Sequence, residues 1–175
     1  MTDEPRMLAA LLYAQGEGAV IGRLAEEARA LGLALAGMIQ KDERRPDRRR
    51  CDMSLVDLPS GTEIPISQDR GREARGCRLD HGALEEAAAL AMRGLDSDPL
   101  PDLLILSKFG KREIEGHGFR QIVERAVELG VPVLVGVGAE HVSGFQDFSG
   151  EYGVVLDDEV AVRDWLRMIA ARNMP

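Results

Sequence analysis

No apolar run in this chain approaches the roughly 20 residues that a transmembrane helix needs, so no membrane span is expected. Met1 to Arg6 is acidic and polar. It lacks the basic start and apolar core of a secretory signal, and a cytoplasmic location is expected. Cysteine is scarce. Only Cys51 and Cys77 are present, too few for a disulfide framework and without the CxxC spacing of a zinc site. His81, His117 and His141 are scattered without metal-ligand spacing, so no metal centre is expected. Basic side chains are in deficit, 22 against 30 acidic, for a net charge of -8. That balance argues against nucleic acid as a general partner, because phosphates must be neutralised. Repeats and low-complexity tracts are absent too.

What is present suits one α/β domain over residues 1–175, with 45% of residues hydrophobic and length for a sizeable core. Met7 to Tyr13 is a short apolar run ending at the glycine-rich turn Gln15-Gly16-Glu17-Gly18. Ile21 to Leu31 carries Ile21, Leu24, Ala25, Ala28 and Leu31 at helical spacing, and Gly32 stands where a helix would end. Leu33 to Ile39 is a second strand. This βαβ opening predicts a parallel sheet flanked by helices.

Cys51 to Ser67 breaks the rhythm. Two alternating runs surround Pro59-Ser60-Gly61, which predicts an inserted β-hairpin. Gln68 to Gly76 reads as a polar loop and His81 to Arg93 as a helix. Leu103 to Leu106 is unbroken and apolar, the mark of a central strand covered on both faces. A helix over Phe119 to Leu129, a strand over Val131 to Val137, an edge strand at Val154 to Leu156 and a helix over Glu159 to Arg172 complete the set. Trp165 belongs to the packing face of that last helix.

In an open parallel sheet, ligands collect at the carboxyl ends of the strands. The turn at 15–18, Gln40 and the stretch from Ser107 to Glu113 should meet there. Gly16 and Gly18 precede a helix, where backbone N–H groups favour an anion. Yet Gly22-Arg23-Leu24 lacks the Lys-Ser/Thr pair of a phosphate loop, so a plain turn is the alternative. Lys108 and Lys111 supply positive charge at a strand end, or are simply a charged turn. Arg78 reaches the same face or pairs with Asp80. Gln40 and Ser67 offer neutral donors, Gln40 alternatively as a turn cap. Glu113 is read as an ion-pair partner of Lys108 or Lys111, or as a base. Cys51 and Cys77 are small core residues, or thiols activated by the neighbouring Arg50 and Arg78. Lys41 to Arg50, KDERRPDRRR, holds six basic residues in ten and reads as a solvated loop or an anion-attracting patch.

The stretch Leu103 to Arg120, LLILSKFGKREIEGHGFR, resembles the Walker B region of the thermophilic nucleoside-triphosphatase family through Phe109, Gly110, Lys111 and Glu113. The order of parts from Met7 to Val137 is similar as well, which implies a P-loop-NTPase-like fold. Two departures stand out. Ser107 replaces the Asp that helps hold Mg²⁺ in that family, and Lys108 replaces its neighbouring Glu. Loss of both carboxylates, with the phosphate-loop lysine also missing, predicts that triphosphate hydrolysis is lost and that no residue is catalytic. The chain also resembles an uncharacterised bacterial family often encoded beside molybdate-transport and molybdenum-enzyme genes. The shared strings are Gly37-Met38-Ile39-Gln40, Cys51-Asp52-Met53, Ser67-Gln68, Gly76-Cys77-Arg78-Leu79-Asp80 and Lys108-Phe109-Gly110-Lys111-x-Glu113.

That second resemblance implies a role in molybdenum or tungsten metabolism. The first expectation is therefore a small-anion binding protein for molybdate or tungstate, with Gly16, Gly18, Gln40, Ser67, Arg78, Lys108, Lys111 and Glu113 around the ligand. A nucleotide-binding protein or NTPase with a non-standard phosphate site is the alternative. A regulatory interaction module, docking a protein partner in molybdenum uptake or cofactor assembly through Lys41–Arg50, is the third. The hairpin edge either pairs with a second subunit in a homo-oligomer or is covered.

Overall fold

Apolar residues on both sides of each central strand require helices on both faces, and the computed structural model has that arrangement. It describes residues 4–14, 19–44, 51–68 and 78–175, the side chains of 43, 44, 51, 52, 68 and 78 excepted. The turn bearing Gly16 and Gly18, residues 45–50 of the basic run, and Cys77 lie outside the described residues, as do the Cys51 and Arg78 side chains.

The strands are β1 (Leu8–Tyr13), β2 (Leu35–Arg44), β3 (Cys51–Asp57), β4 (Glu63–Pro65), β5 (Ser67–Gln68), β6 (Arg78–Leu79), β7 (Leu103–Leu106), β8 (Val133–Gly138) and β9 (Gly153–Leu156). The helices are α1 (Ala19–Ala30), α2 (His81–Leu95), α3 (Lys111–Ile114), α4 (Arg120–Glu128), α5 (Val142–Ser149) and α6 (Glu159–Arg172). One seven-stranded sheet runs β4-β3-β2-β7-β8-β1-β9, and β5 pairs with β6 separately. The five strands β2, β7, β8, β1 and β9 are parallel, while β3 and β4 add an antiparallel hairpin at one edge.

Alternation along the strands divides the core. Leu8, Ala10, Met38, Leu104, Leu106, Val133 and Val135 face α2, α4 and α5 in one cluster. Ala9, Leu11, Leu35, Leu103, Ile105 and Leu134 face α1 and α6 in the other. Trp165 is buried in the second cluster and donates its indole N–H to the Arg6 carbonyl at 2.9 Å. The expected strands and long helices are all present. What periodicity missed are short elements: β5, β6, α3 and α5.

One boundary differs in a way that matters for the site. The apolar pattern of β2 stops at Ile39, but the strand continues to Arg44 because β3 pairs along it from Met38↔Asp57 to Arg44↔Cys51. Polar residues extend the strand because a partner supplies the ladder. At the far end of the hairpin Asp57 is buried, and its carboxylate accepts the Ser60 N–H at 3.2 Å and hydroxyl at 2.6 Å, pinning the Pro-Ser-Gly turn.

Helices α1 and α6 are tied by a two-pronged ion pair, Arg163 Nε to Glu27 Oε2 at 2.7 Å and NH2 to Oε1 at 3.0 Å. The hydrogen bond from Arg163 holds the Glu27 carboxyl below the ordinary carboxylate range. This contribution is present above the unfolded carboxylate pKa and is lost as pH falls through the lowered folded value. Glu27 is 40% exposed, so solvent screening keeps the effect small. Glu27→Gln is expected to melt slightly below the wild type at pH 7, with the gap closing in acid. Melting curves from pH 7 to 3 check it; a gap that does not change with pH would exclude this ion pair as its source.

Candidate functional site

The carboxyl ends of β2 and β7 open into a cavity of about 690 Å³. Its floor is apolar: Met38 from β2, Met53 and Leu55 from β3, Leu106 from β7, and Leu84 and Ala88 from α2. Its rim is polar and carries Gln40, Ser107, Lys108, Lys111, Arg112 and His117, with His141 near α5. Tyr13, at the end of β1, is half-buried away from this cavity. Burial, and then the nearby Glu140, raise its phenol pKa above the ordinary value, so it is protonated at neutral pH. No described residue of β1 or α1 lines the cavity.

Ser107 is the pivot of the strand ends. β7 stops at Leu106 whereas β2 runs on, so the next N–H of β2 needs an acceptor beyond the parallel ladder. The Ser107 hydroxyl oxygen accepts that bond from Gln40 N–H. The same hydroxyl is 3.5 Å from the Met38 carbonyl as a donor. Ser107 is buried, and its hydroxyl joins β2 to β7 instead of facing a ligand.

The residues after Ser107 form a built loop. Lys108 is exposed, with its stem folded over Gly110. Phe109 turns inward and is buried, its ring edge-on to Phe145 at 5.5 Å and tilted against Phe148 at 5.1 Å. Glu113 lies beneath the loop, 7% exposed. Its Oε2 accepts the Gly110 N–H at 3.0 Å and its Oε1 the Phe119 N–H at 3.4 Å. The expected ion pair from Glu113 to Lys108 or Lys111 is not made. Lys111 instead meets Glu115 at 3.8 Å, one helical turn on, because Glu113 points into the loop to satisfy backbone donors.

The other sequence candidates are distributed as follows. Gln40 lines the cavity, its side-chain amide donating to Asp42 Oδ1 at 2.9 Å. The Ser67 hydroxyl accepts the Met53 N–H at 3.1 Å and acts within the hairpin, outside the cavity lining. His117 is exposed, as the glycines around it imply, yet it stands on the rim. Sequence reasoning missed Arg112, whose NH1 is 2.8 Å from His81 Nδ1 across 31 residues. A guanidinium only donates, so the His81 ring nitrogen is the acceptor in this contact. The Met38–Met53 floor was also missed; both residues look like ordinary core in the sequence. Among the described residues no three His, Cys, Asp or Glu side chains are grouped to hold a metal ion. No helix among them is long and apolar enough to cross a membrane.

A family model described as "Protein of unknown function (DUF2478)" matches residues 8–165. This chain belongs to that family. Curated proteins are similar to it as well. The nucleoside-triphosphatase THEP1 of Methanothermobacter thermautotrophicus is 23% identical over 156 residues, spanning 88% of each chain. The molybdenum import ATP-binding protein ModC 2 of Bradyrhizobium diazoefficiens is 27% identical over 172 residues. That match takes in 97% of this chain but only 19% of the transporter subunit, so the chain spans about a fifth of that relative's length. Two solved structures have the same architecture. A human cancer-related nucleoside triphosphatase superposes with a TM-score of 0.64 at 19% identity, covering 97% of both chains. THEP1 from the hyperthermophile Aquifex aeolicus gives 0.64 at 13% identity, covering 93% of this chain and 99% of its own. The fold is therefore the one these nucleoside triphosphatase structures have, a mixed seven-stranded sheet with flanking helices.

Proposed function

We propose that this protein binds a nucleotide at the carboxyl ends of β2 and β7 and does not hydrolyse it. The observation that carries this reading is the two-part cavity, with an apolar floor beneath a cationic rim. Its volume of about 690 Å³ falls within the roughly 300–1,000 Å³ range of small-molecule pockets. A flat heteroaromatic ring covers the half-buried side chains of Met53, Leu84 and Ala88, where the Met53 thioether gives a soft, polarisable contact. The phosphates meet Lys108, Lys111 and Arg112, whose N–H groups make charge-assisted hydrogen bonds. The nucleoside triphosphatases of similar fold, and the ATP-binding protein that shares this segment, support the choice of nucleotide.

Turnover is not expected, because catalysis of phosphoryl transfer depends on metal positioning and an oriented water. Ser107 and Lys108 occupy the two positions where carboxylates would serve those ends, and the Ser107 hydroxyl is engaged with Gln40. A second reading, binding of molybdate or tungstate alone, draws on the similarity to a molybdenum import protein and on the same rim cations. A bare tetrahedral oxyanion would leave the half-buried apolar wall of Met53, Leu84 and Ala88 wet, which makes it the weaker fit.

Isothermal titration with ATP, GTP, molybdate, tungstate and sulfate tests the two readings. ATP or GTP is expected to bind without phosphate release. Lys108→Glu is expected to weaken that binding at least tenfold, or about 1.4 kcal/mol. Binding of molybdate or tungstate, with no response to nucleotide, would replace the first reading by the second.

A further inference from the structure

We infer that the site takes its polyphosphate as the metal-free anion, with Lys108 supplying the positive charge that a divalent cation would otherwise bring; this rests on the nucleotide reading above. A hard divalent ion shared with phosphates is usually held by one or two protein carboxylates. Among the described residues two carboxylates line the cavity, Glu85 and Glu113. The oxygens of Glu113 receive the Gly110 and Phe119 N–H groups from within the loop. Glu85 belongs to α2 and is the one carboxylate of that helix among the described lining residues. The Ser107 hydroxyl, at the strand end, is drawn to the β2 backbone, accepting the Gln40 N–H and lying 3.5 Å from the Met38 carbonyl.

The cations are placed the other way. Lys108 lies two residues beyond the end of β7 and is exposed on the rim, and no described carboxylate lies within ion-pair distance of it. Lys111 is 3.8 Å from the Glu115 carboxylate, with 79% of its own side chain exposed. Arg112 uses NH1 toward His81, and a guanidinium has five N–H donors in all. Among the described residues the rim cations Lys108, Lys111 and Arg112 outnumber the one unengaged lining carboxylate, Glu85, and such a site attracts the more highly charged anion most strongly. Mg²⁺ bound to the phosphates cancels two of those charges and repels the lysine beside it.

Titration calorimetry on the full chain, with ATP in EDTA, ATP in excess Mg²⁺, and pyrophosphate in EDTA, separates the cases. Free ATP is expected to bind about tenfold tighter than its Mg²⁺ complex, the size of a modest change in rim electrostatics. In Lys108→Met, which keeps the stem and removes the charge, that preference should shrink while the protein still melts as the wild type does. ATP binding that is equal or tighter in Mg²⁺ overturns the inference and leaves the nucleotide reading standing. Pyrophosphate binding in EDTA with no response to ATP overturns the nucleotide reading and sustains a metal-free anion site. No binding in any of the three buffers overturns both.

Discussion

Glu113→Ala is expected to lower stability by about 2–3 kcal/mol, because it orphans a buried backbone donor as well as removing a carboxylate. The Gly110 N–H is buried and has Glu113 Oε2 as its partner at 3.0 Å, while the Phe119 N–H reaches Oε1 more loosely at 3.4 Å. For a chain of this size the loss corresponds to roughly 5–10 °C in melting temperature. It should be accompanied by faster amide exchange across residues 108–119 and by weaker anion binding, since Lys108, Lys111 and Arg112 all ride on that segment. Glu113→Gln should recover part of the loss. Its amide oxygen still accepts from one N–H, but its NH₂ then faces the other donor. An alanine variant that melts with the wild type would show that the loop stands without this carboxylate.

Gly37→Ala should have a larger effect still, removing the folded protein from the soluble fraction. Gly37 has a φ of +114°, and a Cβ there would lie 1.9 Å from the Ile105 carbonyl oxygen, with further Ile105 backbone atoms at 2.8 and 2.9 Å. The obstruction is the backbone of β7, its partner in the parallel ladder, so relief requires parting β2 from β7 at the centre of the sheet. Losses above about 4 kcal/mol come from such specific lesions. Gly32→Ala is the matched control. It too has positive φ, +85°, but nothing lies within 4 Å of its added Cβ, so only the backbone strain of about 1–3 kcal/mol applies. Chemical denaturation of the two variants should separate them clearly. Comparable stabilities would mean that the β7 backbone leaves room for a methyl group at position 37.

Part of the site is legible in the sequence. Lys108 and Lys111 fall on the strand-end loop because Leu103 to Leu106 is an unmistakable buried strand, and parallel sheets present ligands where such strands end. Gln40 is found on the same ground and does line the cavity. Arg112 escapes notice although it directly follows Lys111, because its significance lies in reaching His81 on α2. No local pattern encodes that meeting. Met53 is missed as a lining residue for a related reason: methionine in a strand reads as core, and only the gap left beneath the Lys108 loop leaves it half-buried against the cavity.

Residue type and local spacing were enough to establish the succession of strands and helices, the inserted hairpin, and the absence of a phosphate-loop lysine and of two carboxylates after β7. How the substituted residues are used depends on the folded chain. Ser107 bridges β2 to β7 because β2 outruns its neighbour and leaves the Gln40 N–H in need of an acceptor. Glu113 turns back under its own loop because two backbone donors converge there, whereas Lys111 finds Glu115 one turn along. Each outcome follows from the register and approach of separate segments. Buried donors and acceptors must be paired wherever the fold happens to bring them, and a linear pattern does not carry that information.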